Sequence, residues 1–147
     1  MASAPIPGRT IPLQTVDLSV PSPKRATHLS LPLYQGCEYN PEHKAWEIAA
    51  SEGFMKFNLE IPCAQSIRLT LDVASLPGTG TSDNPCTITV NEYTLVRGFD
   101  DHETIFHQVV YMLTAQWLRE GNNSIRIQLD KDARTHVLFR SVGVEGV

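Results

Sequence analysis

The chain has 147 residues, 41% of them hydrophobic and 19% charged, proportions ordinary for one globular domain. A chain of this length buries about 68–70% of the surface that its unfolded form exposes, so a core forms without metal or disulfide staples. Its 12 basic and 16 acidic residues leave a net charge of −4 and no basic stripe, which argues against nucleic acid as the main partner and against binding an anionic membrane. No apolar run reaches the roughly eighteen residues that span a bilayer.

Residues 1–10 read as a loose N-terminal arm, rich in small residues and proline. Residues 11–147 read as a single β-sandwich domain. Ile11 to Val20 alternates around Leu13, Val16, Leu18 and Val20, an opening strand whose flanking prolines suit a sheet edge. Pro21-Ser22-Pro23-Lys24-Arg25 is a turn. Thr27 to Tyr34 alternates again, with Leu29, Leu31 and Leu33 on the buried side. Gln35 to Lys44 reads as a polar loop holding Tyr39 and ending just before Trp46. Ala45–Ala50 and Phe54–Ile61 are strands, and Ser51-Glu52-Gly53 between them predicts a hairpin.

In Phe54–Ile61, Met55, Phe57, Leu59 and Ile61 share one face; in the next strand Ile67, Leu69, Leu71 and Val73 do the same. Residues 77–85 (PGTGTSDNP) form an exposed loop. Thr87 to Glu92 and Tyr93 to Val96 are strands joined at Asn91-Glu92. Ile105 to Leu113 is a strand by its β-branched and aromatic content, followed by one helical turn at Thr114–Leu118. Ile125, Ile127 and Leu129 mark a further strand, and Thr135 to Val144 the last.

The pattern is all-β: eight to ten strands, at most one short helical turn, and no internal repeat. It fits an antiparallel β-sandwich of jelly-roll type, in which two sheets fold together and limit exposed edges.

Cys37, Cys63 and Cys86 are odd in number and form no CxxC pair. They read as reduced, partly buried thiols, with no local feature that activates a nucleophile. The first residues carry no secretory leader pattern. The compartment expected is the cytoplasm, or the exterior if a leader has been removed.

The segment ITVNEYTL, the aromatic-rich strand after it, WLREGNNSIRIQL and the closing VLFRSVGVEG together resemble galactose-binding-like jelly-roll domains. They look closest to carbohydrate-binding modules such as the C-terminal domain of rhamnogalacturonan lyases. The shared features are the strand ending in Val90-Asn91 and a Leu-x-x-Gly-x-Asn-x-Ile turn formed by Leu118, Gly121, Asn123 and Ile125. Each has a physical role: Leu118 plugs the end of the sandwich, Gly121 permits a positive φ, and Asn123 bonds the turn's own backbone. The resemblance implies a carbohydrate ligand. It also implies, in many such modules, a structural calcium held partly by an acid in the last strand. Here that strand reads Phe139-Arg140-Ser141-Val142, with no such acid, so no cofactor is expected and a structural calcium is the disfavoured alternative.

The candidate ligand-binding residues are the aromatic Tyr39 and Trp46, whose faces suit stacking on a sugar ring, and Arg97, Asp100, Asp101 and His102, which would bond its hydroxyls. Outward polar rows (Lys56 and Asn58; Arg126 and Gln128) would line a sheet face. Trp117 reads as core. The partner expected is a carbohydrate or another small molecule, with a homodimer through a sheet face as a further option. The alternative is a small stand-alone enzyme doing acid–base isomerisation, cyclisation or lyase chemistry in a jelly-roll cavity, with His107 and Asp101 or Glu103 as the proton-transfer pair.

Overall fold

A computed structural model describes residues 10–77, 86–99, 104–131 and 135–147, with only the backbone described at 97–99. It contains two antiparallel sheets packed face to face. In chain order the strands are β1 (Gln14–Asp17), β2 (Leu33–Gln35), β3 (Cys37–Asn40), β4 (Ala45–Ile48), β5 (Phe54–Ile61) and β6 (Ile67–Pro77). They continue with β7 (Cys86–Val90), β8 (Tyr93–Phe99), β9 (His107–Leu113), β10 (Gly121–Leu129) and β11 (Thr135–Gly146). A single 3-10 turn covers Ala115–Trp117.

One sheet runs β3-β4-β11-β6-β9, with β1 also paired to β11; the other runs β2-β5-β10-β7-β8. This is the predicted all-β sandwich, with eleven strands among the described residues rather than eight to ten. The two-residue period of the strands does the sorting. Met55, Phe57, Leu59 and Ile61 of β5 are buried, as are Ile67, Leu69, Leu71 and Val73 of β6, while Lys56, Asn58 and Glu60 point to solvent. Phe57 and Phe139 are the largest fully buried side chains.

Strand β11 organises the larger sheet. Its Val137–Phe139 stretch pairs with β4, and its Ser141–Val144 stretch pairs with β1. A bulge at Arg140 separates the two stretches. The Arg140 carbonyl accepts a hydrogen bond from the Leu18 N–H at 2.7 Å, which fastens the segment after β1 to the bulge.

Three expectations are corrected. Ser51-Glu52-Gly53 does not close a hairpin: β4 belongs to one sheet and β5 to the other, so the chain turns a corner between sheets there. The turn is tight enough to hold Glu52 at φ 62°. The Thr27–Tyr34 alternation does not bury all three leucines. Leu29 is fully buried and bridges Leu59, but Leu33 is 72% exposed, because the short strand β2 begins only after Pro32 and lies at the sheet edge. The presumed loop 35–44 contains β2's end and all of β3, which pairs with β4 through Tyr39 and Trp46. Of the predicted loop at 77–85, Pro77 ends β6 and the rest lies outside the described residues.

Candidate functional site

Strands β2 and β3–β4 lie on the same lateral edge of the sandwich, in opposite sheets. Tyr39 and Trp46 are register partners, and Trp46 also pairs with the buried Phe139. Tyr34 pairs with the buried Met55 of the other sheet. All three rings therefore point into the gap between the sheets at its open edge. The Tyr34 and Trp46 centroids are 5.3 Å apart with planes inclined at 55°, and those of Tyr39 and Trp46 are 6.0 Å apart at 63°. Tyr34 is 54% exposed, so one face of its ring is open to solvent.

The polar ends of two of these rings hold the protein's own backbone. The Trp46 indole N–H donates to the Val20 carbonyl at 3.0 Å, and the Tyr39 hydroxyl donates to the Ser19 carbonyl at 2.8 Å. These bonds pin the chain just ahead of Pro21-Ser22-Pro23, whose fixed φ angles make it a stiff wall. The result is a cleft of about 230 Å³ between that wall, Leu31, Tyr34 and Trp46, with Met55 and Leu18 at its base. Neither acid, base nor thiol lines it. The lining is apolar and aromatic, with polar groups limited to Ser22, the Tyr34 hydroxyl and local backbone. Such a cleft can take the apolar face of a ring-shaped ligand.

Of the sequence-predicted ligand residues, Tyr39 and Trp46 are brought together here. Tyr39 contacts the cleft only through Trp46 and the segment it fastens. Asp100, Asp101, His102 and Glu103 lie outside the described residues, as does the side chain of Arg97. His107 opens β9 at the opposite lateral edge, opposite Val73, with its Nδ1 2.9 Å from the Ile105 carbonyl. It does not face the cleft. Tyr34 was missed by the sequence reading. Its only signal is an aromatic residue two positions after Pro32, and its partner Trp46 sits in the other sheet.

The predicted Leu-x-x-Gly-x-Asn-x-Ile turn is present as a structural clasp. Leu118 is buried, Gly121 has φ +93°, and the Asn123 side chain, 1% exposed, bonds the turn backbone. Trp117 is half-buried against the core and stacks on Tyr93 at 5.4 Å with planes 8° apart. The last strand, in which the resemblance implies a calcium-binding acid, carries Arg140 at its bulge. Its guanidinium donates to the His43 carbonyl at 3.0 Å and lies 3.7 Å from the Phe106 ring centroid. Among the described residues, no three acidic, histidine or cysteine side chains converge as a metal site. No helix among them is long and apolar enough to cross a membrane.

The sequence matches no protein-family model and no curated protein. The structure is similar to several solved carbohydrate-binding modules. A family 29 module solved in complex with mannohexaose aligns over 92% of each chain, with a TM-score of 0.61 and 9% identity. A family 35 module from Paenibacillus barcinonensis aligns over 90% of this chain and 98% of its own, with a TM-score of 0.55 and 12% identity. The CBM36-1 domain of a multidomain xylanase from the hindgut metagenome of Trinervitermes trinervoides aligns over 92% and 98%, with a TM-score of 0.54 and 11% identity. The fold defines the class: this chain is a β-sandwich of the architecture those modules share. At such identities the likeness is one of fold.

Proposed function

We propose that the domain is a carbohydrate-binding module that stacks a sugar ring in the Tyr34–Trp46 cleft. The observation that carries this reading is the ring pair itself, held 5.3 Å apart at 55° on the open edge of the sandwich. A pyranose has an apolar C–H face and a hydroxylated rim. Two inclined aromatic walls take the face, and the rim meets Ser22, the Tyr34 hydroxyl and solvent. The volume, about 230 Å³, is below the ~300 Å³ at which drug-sized pockets begin, so it fits one sugar unit of a longer chain. The lining holds no carboxylate, imidazole, amine or thiol, which favours binding over catalysis. The fold neighbours described above are themselves carbohydrate-binding modules, and one was solved with mannohexaose.

The test is calorimetric titration with mannohexaose and a panel of other neutral oligosaccharides. Binding weakened about tenfold in Tyr34→Ala, equivalent to ~1.4 kcal/mol, is the expected result. Tyr34 is chosen because it is exposed and its loss leaves the core intact. A folded protein that binds no glycan in the panel, or binds one with no change in Tyr34→Ala, would overturn the reading.

A further inference from the structure

Among the described residues, the outer face of the five-stranded sheet carries two facing cations with no hydrogen-bonded or ion-paired counter-charge. Lys56 of β5 and Arg126 of β10 are directly opposite each other in the antiparallel register. Cross-strand partners sit about 4.5–5.5 Å apart at Cβ, and like charges so placed repel. Neither makes a hydrogen bond or ion pair among the described residues, although the protein as a whole is acidic, at −4. Arg126 is held in place all the same. Its guanidinium carbon lies 4.2 Å from the centroid of the Phe54 ring, and its Nε is buried without an acceptor.

The surroundings do not relieve the charge. Leu33 lies opposite Lys56 on one side, and Thr89 lies opposite Arg126 on the other, with Thr94 beyond it. The nearest acids along the two strands, Glu52 just ahead of β5, Glu60 on β5 and Asp130 just beyond β10, are each four residues away, or about 13 Å at strand rise. Asp130 already accepts the Thr87 hydroxyl at 3.0 Å. The row Lys56, Arg126, Thr89, Thr94 crosses four strands and so spans about 14 Å, the reach of a short oligosaccharide. Two cations followed by two hydroxyls match a sugar polymer that carries carboxylates and hydroxyls.

We infer that this face is a second saccharide site, separate from the aromatic cleft, and that it takes an acidic glycan chain through a hexuronate carboxylate held between Arg126 and Lys56. Arg126 supplies the planar fork that matches a carboxylate, Lys56 a point charge beside it, and Thr89 and Thr94 donors and acceptors for the neighbouring sugar. The inference rests on the carbohydrate reading for the class of ligand, but not on the cleft.

The experiment compares mannohexaose with a six-residue oligomannuronate, which differs in having a carboxylate on each sugar. Titrations use the wild-type protein, Lys56→Glu, Arg126→Lys and Tyr34→Ala. Oligomannuronate binding should fall at least tenfold in Lys56→Glu and severalfold in Arg126→Lys, weaken on raising salt from 50 to 300 mM, and survive in Tyr34→Ala. Lys56→Glu puts an acid opposite Arg126, so its melting temperature should hold or rise; this variant keeps the test alive should changes at Arg126 disturb the sheet. Binding of mannohexaose without oligomannuronate would overturn this inference and leave the cleft reading standing. Oligomannuronate binding that is lost in Tyr34→Ala yet indifferent to Lys56→Glu would also overturn it, since the carboxylate would then sit at the cleft. Equal binding of heparin through the same two residues would overturn the assignment to carboxylates.

Discussion

The side chains of Asn91 and Asn123 meet amide to carbonyl at 3.0 Å and tie the β7–β8 turn to the start of β10. Asn123 is the hub. Its Oδ1 also accepts the Arg119 N–H at 2.9 Å, and its Nδ2 donates to the carbonyls of Arg119, Gly121 and Leu59. Asn91 in turn donates to the Trp117 carbonyl at 2.7 Å and accepts the Ser124 N–H at 3.0 Å. Two amides, Asn123 buried and Asn91 partly buried, thus satisfy the backbone of the chain crossing at Trp117–Ser124.

Replacing Asn123 by Ala removes the hub and leaves buried N–H and C=O groups without partners. The expected cost is about 3 kcal/mol, from several lost bonds and unsatisfied groups. For a domain of this size that lowers the melting temperature by roughly 6–12 °C. Asn123→Asp should do worse, since a carboxylate would face the three carbonyls to which the amide now donates. Thermal unfolding followed by near-ultraviolet circular dichroism reads this directly; a drop under about 2 °C for Asn123→Ala would remove the clasp from any account of stability.

Gly121 and Gly36 separate backbone strain from crowding. Both have positive φ, +93° and +69°. A Cβ at Gly121 would meet nothing within 4 Å, whereas one at Gly36 would lie 2.8 Å from the Ala50 Cβ and 3.1 Å from the Gly53 Cα. Gly121→Ala should therefore cost only the left-handed backbone penalty, about 1–2 kcal/mol. Gly36→Ala should cost more, because the β2–β3 corner and the inter-sheet corner at Gly53 must also move apart. Urea midpoints of the two variants give the order, and equal values would mean that the Gly36 corner yields without resistance.

Much of the fold was legible because strand period and burial coincide along β5, β6 and β10. Where both faces of a segment meet different surroundings, alternation misleads: Leu29, Leu31 and Leu33 repeat with period two, but only Leu29 reaches the core. The short link at Ser51-Glu52-Gly53 looked like a hairpin because neighbouring strands usually pair, whereas here the corner is set by which sheet has room for each strand. Trp46 and Tyr39 stood out as aromatics beside a loop. Tyr34 did not, because its contact with Trp46 joins two sheets and no local spacing encodes such a contact. The pairing of Lys56 with Arg126 likewise needed the register of β5 against β10, although both were visible as outward polar positions.

The thiols give the protein a marked alkaline limit. Burial pushes the Cys37 thiol up to about 12, partly offset by a hydrogen bond with the Gln35 backbone. Burial also pushes Cys86 up, further raised by the negative charges of Asp130 and of Cys37 when ionised. Both folded values lie above the unfolded value of about 8.5. An acid whose folded pKa is raised contributes its full stability below the unfolded pKa and loses it as pH rises toward the folded one, because the unfolded chain releases the proton first. Stability should thus be level up to about pH 8.5 and fall through pH 9–12. The decline should be shallower in Cys86→Ala, once its lower starting stability is allowed for. Accessibility supplies a second readout. Cys63 is half-buried and Cys86 fully buried, so an aromatic disulfide reagent should label Cys63 rapidly at pH 8 and Cys86 only as fast as the domain unfolds. Urea midpoints measured from pH 7 to 10, together with mass-spectrometric mapping of the labelled thiols, test both halves. A midpoint that climbs with pH would contradict the raised thiol pKa values, and early labelling at Cys86 would mean that β7 opens far more readily than its position between β10 and β8 implies.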